Sequence, residues 1–360
     1  MDPAAFRAEF PVLQRLAYLN AGTDGPVPQR AALAAQAQTG QEVDAGRSGA
    51  ARWESLARMK ADLRGLLSAP FECRPDELAI THSTTDGMNT VISGLPLGRG
   101  DEVLTSDEEH PGLLAPLEAA RRRSGFSVRV VPFAELAGEV GAQTKLVACS
   151  HVSWVGGDVV DVNALRSSGA PVLLDGAQGL GAVETKVSDL GCHFYAAAGQ
   201  KWLCGPDGTG CLYVRADQVE GLSVPWPGYE SLADPGKAQE LPLHEGARRF
   251  DVGPLSGPQS AWWLASIGLL AEAGWDWVLS RGPDLAERLA ERLRERGLEV
   301  APRGRSTLVS WASADAEGDV TRLQAEGIVV RDLPGRGLVR ASVGAWSSEE
   351  ELDRLAGLAV

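Results

Sequence analysis

Short apolar runs recur along the first two thirds of the chain, and several are followed by a stretch with helical spacing. ELAIT (77–81), EVLTS (102–106), SVRVVPF (127–133), KLVACS (145–150), PVLLD (171–175), FYAAA (194–198) and GCLYV (210–214) read as strands. TTDGMNTVISGL places Met88, Val91, Ile92 and Leu95 on one helical face, and GLLAPLEAARRR is helical as well. Strands alternating with helices predict parallel pairing and a sheet covered on both faces. The expected fold class is therefore α/β, with a doubly wound, mainly parallel sheet whose heart spans 70–250. Residues 29–68, rich in Ala and Arg, also have helical spacing, and YLNAGTDGPVP (18–28) is a loop broken by Gly22, Gly25, Pro26 and Pro28.

The pattern changes after about residue 255. Helical stretches at 256–273 and 283–297 precede STLVSWA, GIVVRDL and GLVRASV, and a last helix covers 349–358. This predicts a smaller α+β domain, with the apolar start of the chain packed against it. The expected division is an N-terminal segment at 1–30, a large α/β domain at 31–254 and a small domain at 255–360. No internal repeat or low-complexity tract interrupts it.

With 44% hydrophobic and 23% charged residues over 360 positions, the composition is that of an ordinary globular protein. A net charge of −14 argues against nucleic acid or an anionic membrane surface as the main partner. No apolar run is long enough to predict a membrane span, and MDPAAFRAEFPVL predicts no secretory leader. The five cysteines (Cys73, Cys149, Cys192, Cys204, Cys211) form no CxxC pair. Neither a disulfide framework nor a metal site is expected, and a reducing cytoplasm is the natural setting.

In open α/β sheets ligands gather at the carboxyl ends of the strands, so the polar residues there carry the candidate chemistry. HSTTDG follows the first strand. Its hydroxyls and free helix N–H groups suit an anion, although Ser and Thr serve equally as N-caps. His110 follows EVLTS in DEEHPG. Asp175 ends an apolar strand, where a buried carboxylate seeks a cation, and Gln178 lies three residues on. Lys201 sits in GQKWLCGPDGTG, in a chain with only five lysines. A lysine, unlike arginine, can lose its proton and act as an amine nucleophile. An anion cradle, an aromatic-sized histidine, a carboxylate and a lysine are together what pyridoxal phosphate requires.

In combination, DGAQ and GQKWLCGPDGTGCLYV are specific, and with them the chain resembles the class V aminotransferase family of fold type I pyridoxal-phosphate enzymes. The resemblance runs from YLNAGTDGPVP to VRASVGAWSSEEELDRL. It implies Lys201 as the Schiff-base lysine, Asp175 as the partner of the pyridine nitrogen and Gln178 as donor to the ring oxygen. It further implies His110 stacked on the ring and, with Lys201, a catalytic candidate able to pass a proton to the leaving group, Thr84 and Thr85 on the phosphate, and Arg340 on the substrate carboxylate. Asn20 and Trp154 are candidate substrate contacts. Departures accompany these matches. Gln200, a candidate phosphate contact, stands where the family often has histidine, Ala198 where it has serine, and Trp154 where many relatives have asparagine. Pro254 replaces a threonine that in relatives reaches the partner subunit's phosphate, with Ser256 as a possible substitute. A homodimer is implied.

The family includes cysteine desulfurases, C–S lyases, epimerases and true aminotransferases. A desulfurase needs a thiolate on a loop of the C-terminal domain, and this chain has no cysteine after Cys211. Tryptophan directly after the lysine is most similar to the cysteine/cystine C–S lyase branch. The expected reaction is α,β-elimination on a cysteine-type amino acid, with aminotransferase or epimerase as the alternative. A desulfurase or a non-catalytic cofactor-binding protein ranks lower.

Overall fold

A computed structural model describes residues 2–251 and 253–359. The chain opens with α1 (Pro3–Ala8) and the two-residue strand β1 (Ala17–Tyr18), then α2 (Gln29–Ala45) and α3 (Ala50–Phe71). The helical spacing of 29–68 is thus split in two. Gly46 and Gly49, with φ of 76° and 86°, take a left-handed backbone that no α-helix can continue through.

Next come β2 (Leu78–Thr81), α4 (Thr84–Gly94), β3 (Glu102–Ser106), α5 (Pro111–Ser124), β4 (Ser127–Val131) and β5 (Thr144–Ser150). They are followed by α6 (Val162–Ser167), β6 (Val172–Asp175), α7 (Val187–Leu190), β7 (Phe194–Ala198) and β8 (Gly210–Val214). Seven strands form one sheet in the order β2-β8-β7-β6-β5-β3-β4. β8 runs against both its neighbours, and every other pair is parallel. The exception has a simple cause. The link between β7 and β8 contains no helix, and a parallel return needs a crossover longer than that turn provides.

Strand alternation sorts the core onto two faces. Ile80, Leu104, Val147, Leu174 and Tyr195 face α3 residues Leu63, Leu67 and Phe71 and, further on, Trp263 and Ile267. Ala79, Val103, Leu146, Leu173 and Phe194 face Met88, Val91 and Ile92 of α4 and Leu113 and Leu117 of α5. Helices on both faces make the domain doubly wound.

The remaining elements are α8 (Gly257–Ala273), α9 (Trp275–Glu295), β9 (Leu308–Ala312), α10 (Ala316–Ala325), β10 (Ile328–Val329), β11 (Arg331–Leu333), β12 (Leu338–Ser342) and α11 (Glu349–Leu358). α9 begins at Trp275 rather than 283. Pro283, a residue that favours a first turn, is instead buried inside the helix, where packing outweighs one lost hydrogen bond. β11, β12 and β9 form an antiparallel sheet. GIVVRDL is divided between two sheets, because β10 pairs in parallel with β1 of the N-terminal segment. Ala17 and Leu19 share a core with Val309 and Val339, which fixes the start of the chain onto the smaller domain. Among the described residues no helix is long and apolar enough to cross a membrane, and no cluster of His, Cys, Asp and Glu could hold a metal.

Candidate active site

Parallel pairing brings the ends of β2, β3, β5, β6 and β7 to one edge of the sheet. A cavity of about 210 Å³ opens there, closed from the other side by the loop after β1 and by the β11–β12 hairpin.

One end of the cavity is built for an anion. Ser83 is the N-cap of α4 and accepts from the Asp86 N–H at 3.1 Å. The capping role therefore falls to Ser83 and leaves Thr84 and Thr85 free on the first turn. Both line the cavity, and the buried Thr84 hydroxyl has no partner. A buried hydroxyl without a partner beside exposed helix N–H groups is a site that an anion completes. His110 caps α5, its Nδ1 accepting from the Gly112 N–H at 3.0 Å, so its proton sits on Nε2. Burial, followed by the charges of Lys201, Arg331 and Arg340, pulls its pKa down to about 4. The ring is neutral at physiological pH and stands edge-on to Trp154, with centroids 5.3 Å apart.

Asp175 and Lys201 occupy the floor. The Asp175 carboxylate accepts from the Ala177 N–H at 2.9 Å, and burial pushes its pKa up. It has no ion-pair partner within the chain's salt bridges among the described residues, so it is a carboxylate that a nearby cation would stabilise. Lys201 is half-buried after β7. Burial lowers its pKa to about 8, Arg340 and Arg331 add to this, and Asp175 and Asp24 oppose it.

The wall carries two guanidinium groups. Arg340 is 1% exposed, and among the described residues its side chain's only hydrogen bond goes from Nη1 to the Trp154 carbonyl at 2.8 Å. Its Nε and Nη2 are buried without partners, as is the neighbouring Ser342 hydroxyl. Burial, then Arg331, holds the Arg340 pKa down to about 9. Arg331 lies directly opposite Arg340 in the β11–β12 register and lines the same cavity. Like charges facing each other across a strand pair are unfavourable unless an anion lies between them. Sequence reasoning missed Arg331. The signal was present in LPGRG, a turn that folds 331 back onto 340.

Gly22 makes this crowding possible. A Cβ there would lie 2.7 Å from Ser342 Oγ, 2.9 Å from Arg340 Nη2 and 3.0 Å from Gln178 Oε1. Gly22→Ala is expected to destabilise the fold by about 1–3 kcal/mol in a denaturant titration, the usual cost of overpacking. Gln178 itself is held at both ends. Its Nε2 donates to the Gly22 carbonyl at 2.8 Å, and its Oε1 accepts from Trp202 Nε1 at 3.0 Å.

Trp154 and Gln200 also line the cavity, and the Trp154 indole N–H is buried without a partner. Asn20 and Ser256 are not brought to it. Asn20 bridges to Ser342 through the backbone and its Oδ1 accepts from the Thr23 hydroxyl at 2.9 Å. Ser256 is consumed as the N-cap of α8, in a capping box with Gln259, and lines a separate surface cavity with Arg47 and Trp53. His151 is buried with its Nδ1 3.0 Å from the Tyr195 hydroxyl. All five cysteines are free and none lines the cavity. Burial raises every one of their pKa values, that of the half-buried Cys73 to about 12.

The aminotransferase class-V family model matches residues 20–355, and the chain belongs to that family. The protein is accordingly a pyridoxal-phosphate-dependent enzyme of the lyase or aminotransferase type. Isopenicillin N epimerase of Streptomyces clavuligerus is 28% identical over 94% of this chain and 92% of its own length. A cysteine desulfurase of Klebsiella pneumoniae (strain 342) is 28% identical over 98% of this chain and 96% of its own. The structure of a C-DES mutant with glycine covalently linked to its PLP cofactor matches with a TM-score of 0.92 at 28% identity, covering 98% of each chain. A second C-DES structure, of the cystine C–S lyase with its reaction product cysteine persulfide, matches at 0.91 over 97% of this chain and 98% of that one.

The cavity fits pyridoxal phosphate. The orphan Thr84 hydroxyl at a helix N-terminus suits its phosphate, the buried Asp175 carboxylate suits a pyridinium, and a lysine with a lowered pKa suits its aldehyde.

Proposed function

We propose that the protein is a C–S lyase that carries out α,β-elimination on cysteine-type amino acids, cystine foremost. The products from cystine and water would be pyruvate, ammonia and cysteine persulfide. The observation that carries this reading is the pair of cavity arginines, Arg340 with two unpartnered nitrogens and Arg331 opposite it. Cystine carries two carboxylates, one for each guanidinium, and charge-assisted bidentate pairing to carboxylate is the strongest use of such groups. Four cysteines are buried, Cys73 is half-buried, and burial raises the thiol pKa of all five, which supports a route that needs no protein thiolate.

The roles of the residues follow from their chemistry. Thr84, Thr85 and the α4 N-terminus would hold the phosphate, Asp175 the ring nitrogen and Gln178 the ring oxygen, and neutral His110 would lie against the ring. Bound pyridoxal phosphate supplies an electron sink for the pair left by the α-proton. Arg340 holds the α-carboxylate. Lys201, released as a free amine, takes the α-proton, and its lowered pKa leaves a substantial neutral fraction near pH 8. The resulting ammonium is a stronger acid than the neutral His110 ring, so Lys201 is also the better proton donor to the departing sulfur. A persulfide leaves more readily than sulfide because its conjugate acid is stronger.

The test replaces all five cysteines by serine or alanine and assays products from cystine. Pyruvate formation is expected to persist. Alanine formation that disappears with one cysteine would mean a desulfurase and overturn the reading. A racemised amino acid would mean an epimerase, and stoichiometric amino transfer to a keto acid an aminotransferase.

We also infer a homodimer in a reducing cytoplasm. Trp53 and Tyr229, 57% and 71% exposed, line one surface cavity with Pro254 and Leu255, an apolar surface suited to a second copy. Sedimentation at micromolar concentration is expected to give twice the mass of one chain. A monomer with full activity would contradict it.

A further inference from the structure

Gln178 and Arg340 both approach Gly22. The Gln178 Oε1 and the Arg340 Nη2 both lie within about 3 Å of the point where a Cβ on Gly22 would sit, yet they do not hydrogen-bond. Arg340 Nη2 is a buried donor without an acceptor, and an amide oxygen is an acceptor. The Gln178 oxygen is instead engaged by the residue next to the lysine. The Trp202 indole N–H donates to Gln178 Oε1 at 3.0 Å.

The orientation of this amide is fixed by chemistry at both ends. A backbone carbonyl can only accept, so the group facing Gly22 O must be the amide nitrogen. An indole N–H can only donate, so the group facing Trp202 must be the amide oxygen. Trp202 is itself immobile. It is 1% exposed and stacks on Trp346 with centroids 6.4 Å apart and planes 29° apart, and Trp346 in turn packs on Phe10 at 5.3 Å. The amide nitrogen has two N–H groups, and Gly22 takes one, so a single donor remains for the cavity that Gln178 lines.

We propose that Trp202 is a positioning residue. By occupying the Gln178 carbonyl, it holds the remaining amide N–H for the cofactor's ring oxygen and leaves the Arg340 guanidinium free for the substrate carboxylate. Without the indole N–H, the Gln178 oxygen becomes a buried acceptor lacking a donor, and Arg340 Nη2 and the Ser342 hydroxyl are unpartnered donors beside the same glycine. The two functions that Trp202 separates would then quench each other. This inference rests on the cofactor and carboxylate roles given above for Gln178 and Arg340.

The experiment is a pH titration of the visible cofactor band in the loaded wild-type protein, in Trp202→Phe, in Gln178→Met and in the double variant. A donor to the ring oxygen favours the deprotonated form of the lysine–cofactor linkage, which carries more negative charge on that oxygen. Weakening the donor therefore raises the midpoint. Trp202→Phe is expected to raise the proton affinity about tenfold, the usual worth of one hydrogen bond, and to raise KM for the amino acid more than it lowers kcat. Gln178→Met should raise the midpoint as well, and adding Trp202→Phe to it should change nothing further. An unchanged midpoint in Trp202→Phe, or additive shifts in the double variant, would overturn the proposal. Should the phenylalanine variant not fold, benzothienylalanine at 202 keeps the indole shape without the N–H, and the same titration decides. Wild-type protein that forms no reducible cofactor adduct would instead refute the cofactor roles on which the inference rests.

Discussion

Lys201→Ala will lower turnover by about four orders of magnitude, the upper range for losing a positioned general base, and borohydride will no longer fix cofactor to the protein. The reason lies in the surroundings of the amine. Burial disfavours the ammonium form, and Arg340 and Arg331 repel it, so the pKa falls from the ordinary lysine value to about 8 despite the attraction of Asp175 and Asp24. The neutral amine is the nucleophile, and its fraction grows as pH rises toward the pKa and saturates above it. Cofactor capture by the cofactor-free wild-type protein should therefore accelerate about tenfold per pH unit below 8 and level off above, as read by stopped-flow absorbance. A flat profile from pH 6 to 9, or a reducible adduct in Lys201→Ala at another lysine, would remove Lys201 from its role. Arg340→Met should move the midpoint of this profile upward, since it deletes one of the charges that hold the lysine pKa down.

Arg340→Met should lower kcat/KM by about two to three orders of magnitude, the range for truncating one partner of a buried charge pair. The same change should stabilise the substrate-free protein. Arg340 is buried with two nitrogens unpartnered and a second guanidinium facing it from Arg331. Replacing a buried charge by an apolar side chain of similar volume is often stabilising by about 1–4 kcal/mol. A rise in Tm together with a collapse of kcat/KM separates a group retained for binding from one retained for folding. A fall in Tm at unchanged kcat/KM would assign Arg340 a structural role. Arg331→Met distinguishes the two carboxylates. It should raise KM for cystine at least tenfold and leave KM for a cysteine conjugate without a second carboxylate nearly unchanged. Equal effects on both substrates would remove the second guanidinium from substrate selection.

The apolar runs gave strands within one or two residues of their observed ends, because an apolar stretch of four to seven residues between breakers has few other ways to be buried. The residues that follow those strands were legible as well. Asp175 ends a run, Lys201, His110 and the Thr84–Thr85 pair follow one within four residues, and parallel pairing delivers strand ends to one edge whatever the details of packing. Contacts with the other domain were hidden. Arg331 and Arg340 face each other only through a hairpin register, and Asn20 and Ser256 are taken up by Thr23 and Gln259. The grip of Trp202 on Gln178 joins positions 24 residues apart through a side-chain bond that no periodicity encodes.

The sequence by itself determined the alternation of elements, the two-sided core and the set of chemically able residues, since these depend on local pattern and residue type. The tertiary structure decided the pairing of two arginines across one cavity and the orientation of the Gln178 amide. Those depend on which groups are left without partners once distant segments are brought together, and a buried donor, acceptor or charge acquires its cost and its use only there.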